Sequence, residues 1–343
     1  MAVTARRTRP RKILAFVPGG AEVPSSRLRI LAYRDRFRRE GVRFTVYEEE
    51  AKGFWRRLIN LYRFLTSDVF LVQKRTFRLG RLWMARLLKK RLVFDIDEPT
   101  FVDPVTGRER GSDLRALRRF IRHCHLVVVC NRYLKERLTR PEQRVLTLLT
   151  IPLETPPAKP QRVPGLPRLG WIGTAAKLPY LEALDEVLCA LQARYPFELA
   201  IIGPAGGHAD LCTRHRYIPW EPGIERTLAE RFDVGLLPLP HDDRARGECG
   251  YKLLQLQACG LPAVASLAGS HPDLIEHGVT GLLAGDEKEW HDCLELLLEN
   301  PSLVTLMSGR ILERYAERYC AERSFRQLYG ALCELVRERA GQR

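Results

Sequence analysis

Short apolar runs of four to six residues alternate with longer amphipathic stretches along most of the chain, the rhythm of buried parallel strands joined by surface helices. Residues 13–17 (ILAFV) form such a run, closed by Pro18-Gly19-Gly20, and predict a strand followed by a turn. Residues 27–40 carry Leu28, Leu31 and Phe37 at near-helical spacing on an Arg-rich background, so they predict a helix that Gly41 stops before the next apolar run, VRFTVY. The pattern continues with helices over 54–65, 80–90, 113–122 and 131–139 and strands over 69–72, 92–95 and 126–130. Repeated strand-helix units with short connections require a mostly parallel, doubly wound sheet.

Six prolines in residues 150–168 interrupt the rhythm and read as an extended linker. It then restarts with strands over 169–172, 199–202, 234–237 and 263–266 and a short one near Tyr217, and with helices over 179–194, 222–231, 251–259, 287–298, 301–319 and 324–339. The expected fold class is therefore α/β, with two Rossmann-like doubly wound domains facing across a cleft. The first covers 1–150, the linker 151–168 and the second 169–320, while a helix over 321–343 is expected to pack back on the first. Ligands of such sheets bind at the carboxyl ends of the strands, where helix N-termini attract phosphate, so a nucleotide-containing ligand between the domains is expected.

Charge sharpens this picture. Residues 1–150 hold 35 Lys and Arg against 15 Asp and Glu, whereas residues 151–343 hold 21 against 26, so one half is +20 and the other −5. A basic half calls for an anionic partner, a phospholipid surface or a nucleic acid. No nucleic-acid module appears, and nucleic acid is not the expected partner. The nine cysteines show no CxxC pair and no zinc-ligand spacing, so neither a metal site nor a disulfide framework is expected; Cys130 and Cys189, inside apolar runs, read as reduced thiols that suit a cytoplasmic protein. The first apolar run is too short for a secretory signal, and no run approaches the ~18 residues of a spanning helix.

The most informative stretch is residues 233–284. A buried strand ends at Pro238, a polar loop follows, and Gly250 delivers the chain into a helix whose first turn, Tyr251, Lys252 and Leu253, presents N–H groups and an ammonium to an anion. Gly250-Tyr251-Lys252 is equally an ordinary loop-helix junction. Together with PSSRLR at 24–29, LVFDIDEPTF at 92–101, LVVVCNRYL at 126–134 and LGWIGTAAKLPYLEAL at 169–184, this block resembles the family 4 retaining glycosyltransferases of GT-B fold, the type that builds bacterial polysaccharide and lipopolysaccharide.

That resemblance implies transfer of a sugar from a nucleoside-diphosphate sugar, with retention at the anomeric carbon and no cofactor or metal, to a glycan or lipid-linked acceptor held by the first domain. It places donor contacts on Gly173, Thr174, Gly203, Glu248, Gly250, Tyr251 and Gln255, and puts Lys177 and Lys252 against the donor diphosphate. The family's acidic pair, with seven intervening residues, falls on Gly247 and Gln255, and neither is acidic here. Gln255 retains an amide for ribose hydroxyls, and Glu248 stands one place along; the alternative is a degenerate scaffold that binds nucleotide sugar or membrane without turnover.

In the first domain Asp95, Asp97 and Glu98 follow a buried strand, and Asp97 and Glu98 are candidates to orient or activate the acceptor hydroxyl, or simply solvated loop residues. Gly19 and Gly20, with Arg27 and Arg29 after them, are candidates for acceptor or phosphate binding. Helix 54–65 interleaves Phe54, Trp55, Leu58, Leu61, Tyr62 and Leu65 with Arg56, Arg57 and Arg63. Its apolar positions either pack in the core or enter a lipid interface, and the second option predicts peripheral docking on the inner face of the cytoplasmic membrane.

Overall fold

The computed structural model describes residues 9–19, 23, 25–47, 53–151 and 165–341. It divides into two compact units. Gly20, Pro24 and most of the proline-rich segment lie outside the described residues.

Unit 1 contains six parallel strands, β1 (Lys12–Phe16), β2 (Arg43–Val46), β3 (Val69–Gln73), β4 (Arg91–Ile96), β5 (Leu126–Val129) and β6 (Val145–Thr147), in the order β2-β1-β3-β4-β5-β6. Alternation along β1 sends Leu14 and Phe16 to one apolar layer and Ile13 and Ala15 to the other. The expected helix over 27–40 is wound in three pieces, a π-helical turn Ser26–Ile30, a 3-10 turn Leu31–Tyr33 and the short helix α1 (Arg34–Arg39). On the opposite face lie α2 (Phe54–Thr66), α3 (Leu79–Leu87), α4 (Gly111–Ile121) and α5 (Arg132–Leu138). Leu114, Leu117, Phe120 and Ile121, at helical spacing on α4, are all buried there. Asn131 caps α5, its Oδ1 accepting from the Leu134 N–H at 2.9 Å. The buried Lys90 ammonium closes the other end of α2 by donating to the Leu65 and Ser67 carbonyls at 2.6 and 2.7 Å.

Unit 2 contains β7 (Arg168–Ile172), β8 (Glu198–Gly203), β9 (His215–Pro219), β10 (Val234–Leu237), β11 (Ala263–Ser266) and β12 (Leu282–Ala284), parallel in the order β12-β11-β10-β7-β8-β9. The expected helix over 179–194 is broken into α6 (Leu178–Glu182) and α7 (Asp185–Arg194), and the expected helix over 222–231 is a 3-10 segment, Ile224–Glu230, that leaves helical geometry at Thr227. After β10 come α8 (Asp243–Arg246) and α9 (Tyr251–Ala258), then α10 (His271–Leu274), α11 (Glu287–Glu299) and α12 (Pro301–Arg318). Gly170 in β7 has a packing reason: a Cβ there would lie 2.0 Å from the Phe232 ring.

The chain then supplies α13 (Ala321–Gly341), which belongs to unit 1. Phe325, Leu328, Leu332 and Leu335 are buried with Ile13, Ala15, Val69 and Val128. Each such side chain removed from water stabilises by roughly 1.5–3 kcal/mol, so α13 is an integral layer of unit 1. Gly247–Cys249 also belong to unit 1, although the residues on both sides belong to unit 2.

Candidate functional site

In unit 2 the loops after β7, β8, β10, β11 and β12 leave from the same carboxyl edge, because all the strands run parallel. Two contacts tie the segment after β10 to this edge: the Leu239 N–H donates to Ser266 Oγ at the end of β11 at 2.8 Å, and His241 Nε2 meets the Gly285 carbonyl after β12 at 2.9 Å. After β7, Gly173 is pinned by its N–H donating to the Ile202 carbonyl at 3.0 Å, and a Cβ there would lie 2.3 Å from the Trp171 ring. Thr174 is exposed and makes no side-chain cap, so its hydroxyl remains at the loop surface. Lys177, half-buried, closes the short 3-10 turn Ala175–Lys177. Gly203, at the end of β8, packs so tightly that a Cβ would meet the Tyr217 hydroxyl at 2.3 Å.

The chain enters α9 through Gly250 in the left-handed region (φ +70°), a conformation that favours glycine, and a Cβ there would in addition lie 2.4 Å from Leu274. The Leu254 N–H makes the first helical bond, to the Gly250 carbonyl at 3.0 Å, and Gly250 offers no capping side chain. The first turn of α9 therefore carries the helix's positive end beside Lys252. One turn on, the Gln255 Nε2 donates to the Tyr251 hydroxyl at 3.2 Å. Its Oε1 is buried and accepts no hydrogen bond from any described residue. A buried acceptor in that state costs free energy until a donor reaches it, and a ligand hydroxyl is such a donor.

The segment before Gly250 departs from the sequence reading. Gly247 and Glu248, assigned above to the donor side, lie in unit 1. A Cβ on Gly247 would come within 2.5 Å of the Pro99 ring, so an acidic side chain has no room there in this conformation. The Asn131 Nδ2 donates to the Glu248 carbonyl at 3.1 Å. Cys130 and Cys249, with Cα atoms 5.5 Å apart, are joined by a disulfide. The expectation that no disulfide forms and that Cys130 is a reduced thiol is corrected: cysteines 119 residues apart in sequence meet because the strip 247–249 returns to the end of β5, which no spacing rule detects. The other seven cysteines are free.

In unit 1 Asp97 and Glu98 do leave the carboxyl end of β4, and both engage Lys74, whose Nζ lies 2.7 Å from Asp97 Oδ1 and 2.8 Å from Glu98 Oε1. Lys74 loses stability as a cation through burial, but the two carboxylates outweigh that and hold its pKa above the ordinary value. Sequence reasoning missed this lysine. The available signal was positional: Gln73 pairs with Asp95 in the β3–β4 register, so Lys74 leaves the end of β3 next to the strand end from which Asp97 and Glu98 leave.

Arg29 is a correction. Rather than reaching for phosphate, its guanidinium is buried (2% exposed), with Nε 2.8 and 3.0 Å from the two Asp95 oxygens and Nη1 donating to the Leu148 carbonyl at 2.7 Å and Thr150 Oγ1 at 3.2 Å. Asp95 likewise points into the unit, and burial, partly offset by Arg29, pushes its carboxyl up to about 6. Gln73 completes the cluster by donating to the Ser25 carbonyl at 3.1 Å and Asp95 Oδ2 at 3.4 Å. Arg27 is half-buried on the π-helical turn, and Gly19 packs against Val23, whose Cγ2 would be 2.4 Å from an added Cβ. Gly20 lies outside the described residues.

The family model described as glycosyl transferases group 1 matches residues 167–300. A D-inositol 3-phosphate glycosyltransferase of Actinosynnema mirum is 28% identical over 150 residues, covering 42% of this chain and 34% of its own length. This chain thus spans about a third of that relative. Among solved structures, Anabaena Alr3699/HepE in complex with UDP and glucose aligns with a TM-score of 0.65 at 15% identity over 94% of this chain and all of its own. The sucrose-phosphate synthase of Thermosynechococcus elongatus aligns at 0.67 and 12% over 96% of this chain and all of its own. These two likenesses concern the fold.

Proposed function

We propose, from the chain's place among the group 1 glycosyl transferases of GT-B fold, that it transfers a sugar from a nucleoside-diphosphate sugar to a glycan or lipid-linked acceptor with retention of configuration. The observation that carries the donor half is the start of α9: a glycine-turned helix end, Lys252 in its first turn and a buried, unsatisfied Gln255 Oε1 one turn on. The diphosphate takes the helix end and Lys252, with Lys177 on the loop after β7, while Gln255 receives a ribose hydroxyl. The sugar C1–oxygen bond to the diphosphate breaks and the bond from C1 to the acceptor oxygen forms on the same face. The acceptor proton passes to the departing phosphate oxygen, so positioning and electrostatic stabilisation of the leaving group supply most of the acceleration. Loss of the acid at 247 is accommodated because this route asks no carboxylate to take the proton. UDP is bound by the Anabaena protein, which makes UDP-glucose the first probe. A thermal-shift series with nucleoside-diphosphate sugars tests binding: a ligand at a hundred times its Kd stabilises by about 2.7 kcal/mol, and no shift with any donor would end the donor assignment.

The acceptor side, we further propose, works at an anionic membrane surface. On α2 the apolar side chains do not pack inward: Phe54 is 68% and Trp55 75% exposed, Leu58, Leu61, Tyr62 and Leu65 are exposed with them, and Phe64 alone of its large apolar side chains is buried. The adjoining helix adds a second stripe of Leu79, Trp83 and Leu87, four residues apart and all exposed, flanked by exposed Arg78, Arg86 and Lys89. Both helices pack on the same face of the unit 1 sheet through Phe64, Leu82 and Ala85. Arg56 and Arg57 are exposed, while Arg63 is half-buried and donates to the Val46 carbonyl at 3.3 Å. Exposed aromatics among guanidinium groups match an acyl-headgroup boundary, each basic group contributing roughly 1 kcal/mol near anionic lipid. No described helix is long and apolar enough to cross a membrane. Sedimentation with phosphatidylglycerol vesicles should show binding that falls steeply with salt and drops at least tenfold in a Trp55→Ser/Trp83→Ser variant. No association at low salt would leave a soluble acceptor.

A further inference from the structure

We infer that Cys130 and Cys249 are a thiol–disulfide modification site, a redox-set clasp on the strip that leads into the donor helix. The regulatory half of this rests on the donor reading above; the clasp itself does not. Gly247–Cys249 are held in unit 1 by three successive residues meeting two short segments. Gly247 lies against the Pro99 ring, the Glu248 carbonyl accepts from Asn131, and Cys249 is bonded to Cys130, with the Asp97 carbonyl oxygen against both sulfurs. Both cysteines are buried, at 2 and 7% exposure, so the bond is made or opened only when the strip lifts.

The next residue after Cys249 is Gly250, whose left-handed backbone starts α9. Fixing Cys249 covalently therefore restrains the backbone on the N-terminal side of Gly250 and lowers the ordering cost of binding a diphosphate at the helix start. Cleaved, the strip keeps the Asn131 hydrogen bond and the Pro99 contact but loses its covalent tie, and it opens more often. Closure proceeds by exchange with a small disulfide such as oxidised glutathione: the thiolate of one cysteine attacks it, releasing one thiolate, and the second cysteine displaces the other. Two cysteine thiols lose two protons and two electrons, and the oxidant becomes two thiols.

The test equilibrates the full chain with glutathione at ratios from fully reduced to fully oxidised, followed by acid quench and peptide mapping. The free cysteines Cys189 and Cys212 are mapped separately so that a bridge between them is not mistaken for this one. The expected result is a Cys130–Cys249-linked peptide in the oxidised chain and hydrogen exchange at Glu248, Cys249 and Gly250 at least tenfold slower than in the reduced chain. UDP-glucose affinity should be about five- to tenfold higher when oxidised. Cys249→Ser and Cys130→Ser should behave like the reduced chain in both buffers, and reduction of the wild-type chain provides the same comparison without mutation. Absence of the linked peptide under oxidised glutathione, or a linked peptide with unchanged exchange, would overturn the clasp. Slowed exchange without donor binding in either state would keep the clasp and overturn the donor reading instead.

Discussion

Arg29→Met is expected to destabilise unit 1 by about 3–5 kcal/mol, because it leaves a buried carboxylate facing a hole where a guanidinium stood. Arg29 spans Asp95, the Leu148 carbonyl and Thr150, so its loss also strips hydrogen bonds from the segment that follows β6. Replacing both partners, Arg29→Met with Asp95→Leu, should recover most of that loss, since two apolar groups of similar size need no counter-charge. The pH dependence has a definite sign. Asp95 already titrates at about 6 in the folded chain, above its ordinary value, and without Arg29 its pKa rises further. The folded single variant then holds a proton that the unfolded chain releases, so its stability should rise as pH falls from 7 to 5, with no comparable rise attributable to residue 95 in the double variant. Urea unfolding at both pH values checks this. A single variant as stable as wild type would show that the pair is dispensable to the unit.

The second large effect is on the donor. Lys252→Ala and Lys177→Ala should each weaken UDP-glucose binding, because each removes one charge-assisted contact worth about 1.5–3 kcal/mol, or roughly 10- to 150-fold. If both touch one diphosphate, the double variant should lose at least a hundredfold. Melting temperatures without ligand should stay within a few degrees of wild type, because both side chains are only half-buried. The slowing of transfer should exceed the loss of affinity if the ammonium groups act on the charge that develops as the diphosphate leaves. Calorimetric titration and initial rates separate the two. Unchanged affinity in both variants would remove the lysines from the phosphate site.

Strand and helix order was legible because apolar runs four to six residues long can be satisfied only by buried parallel strands, and because Gly41, Pro238 and Gly250 punctuate them. β6 and β12 were not expected: three residues each, with partly exposed positions, they are strands by virtue of their neighbours rather than their own pattern. Local signals marked the start of α9, where Gly250, Lys252 and Gln255 follow in sequence. What stayed hidden is non-local. Arg29 looks like one more arginine on a basic helix until the π-helical turn rotates it inward onto Asp95, and Lys74 gains its meaning only from the register of β3 with β4. The return of 247–249 to β5 likewise turns Gly247 from a missing acid into a close-packed residue. The outward face of α2 was the reverse case, since periodicity marks an apolar stripe without saying whether protein covers it.

Sugar transfer itself is tested most directly by incubating the chain with UDP-glucose, or whichever donor gives the thermal shift, and a mixture of glycan and lipid-linked acceptors, while counting nucleoside diphosphate released and glycosylated product formed. Equal amounts of the two are expected, with the donor's anomeric configuration kept in the product and both signals falling together in Lys252→Ala. Tight donor binding without release of nucleoside diphosphate on any acceptor would contradict transfer and leave a nucleotide-sugar-binding scaffold in its place.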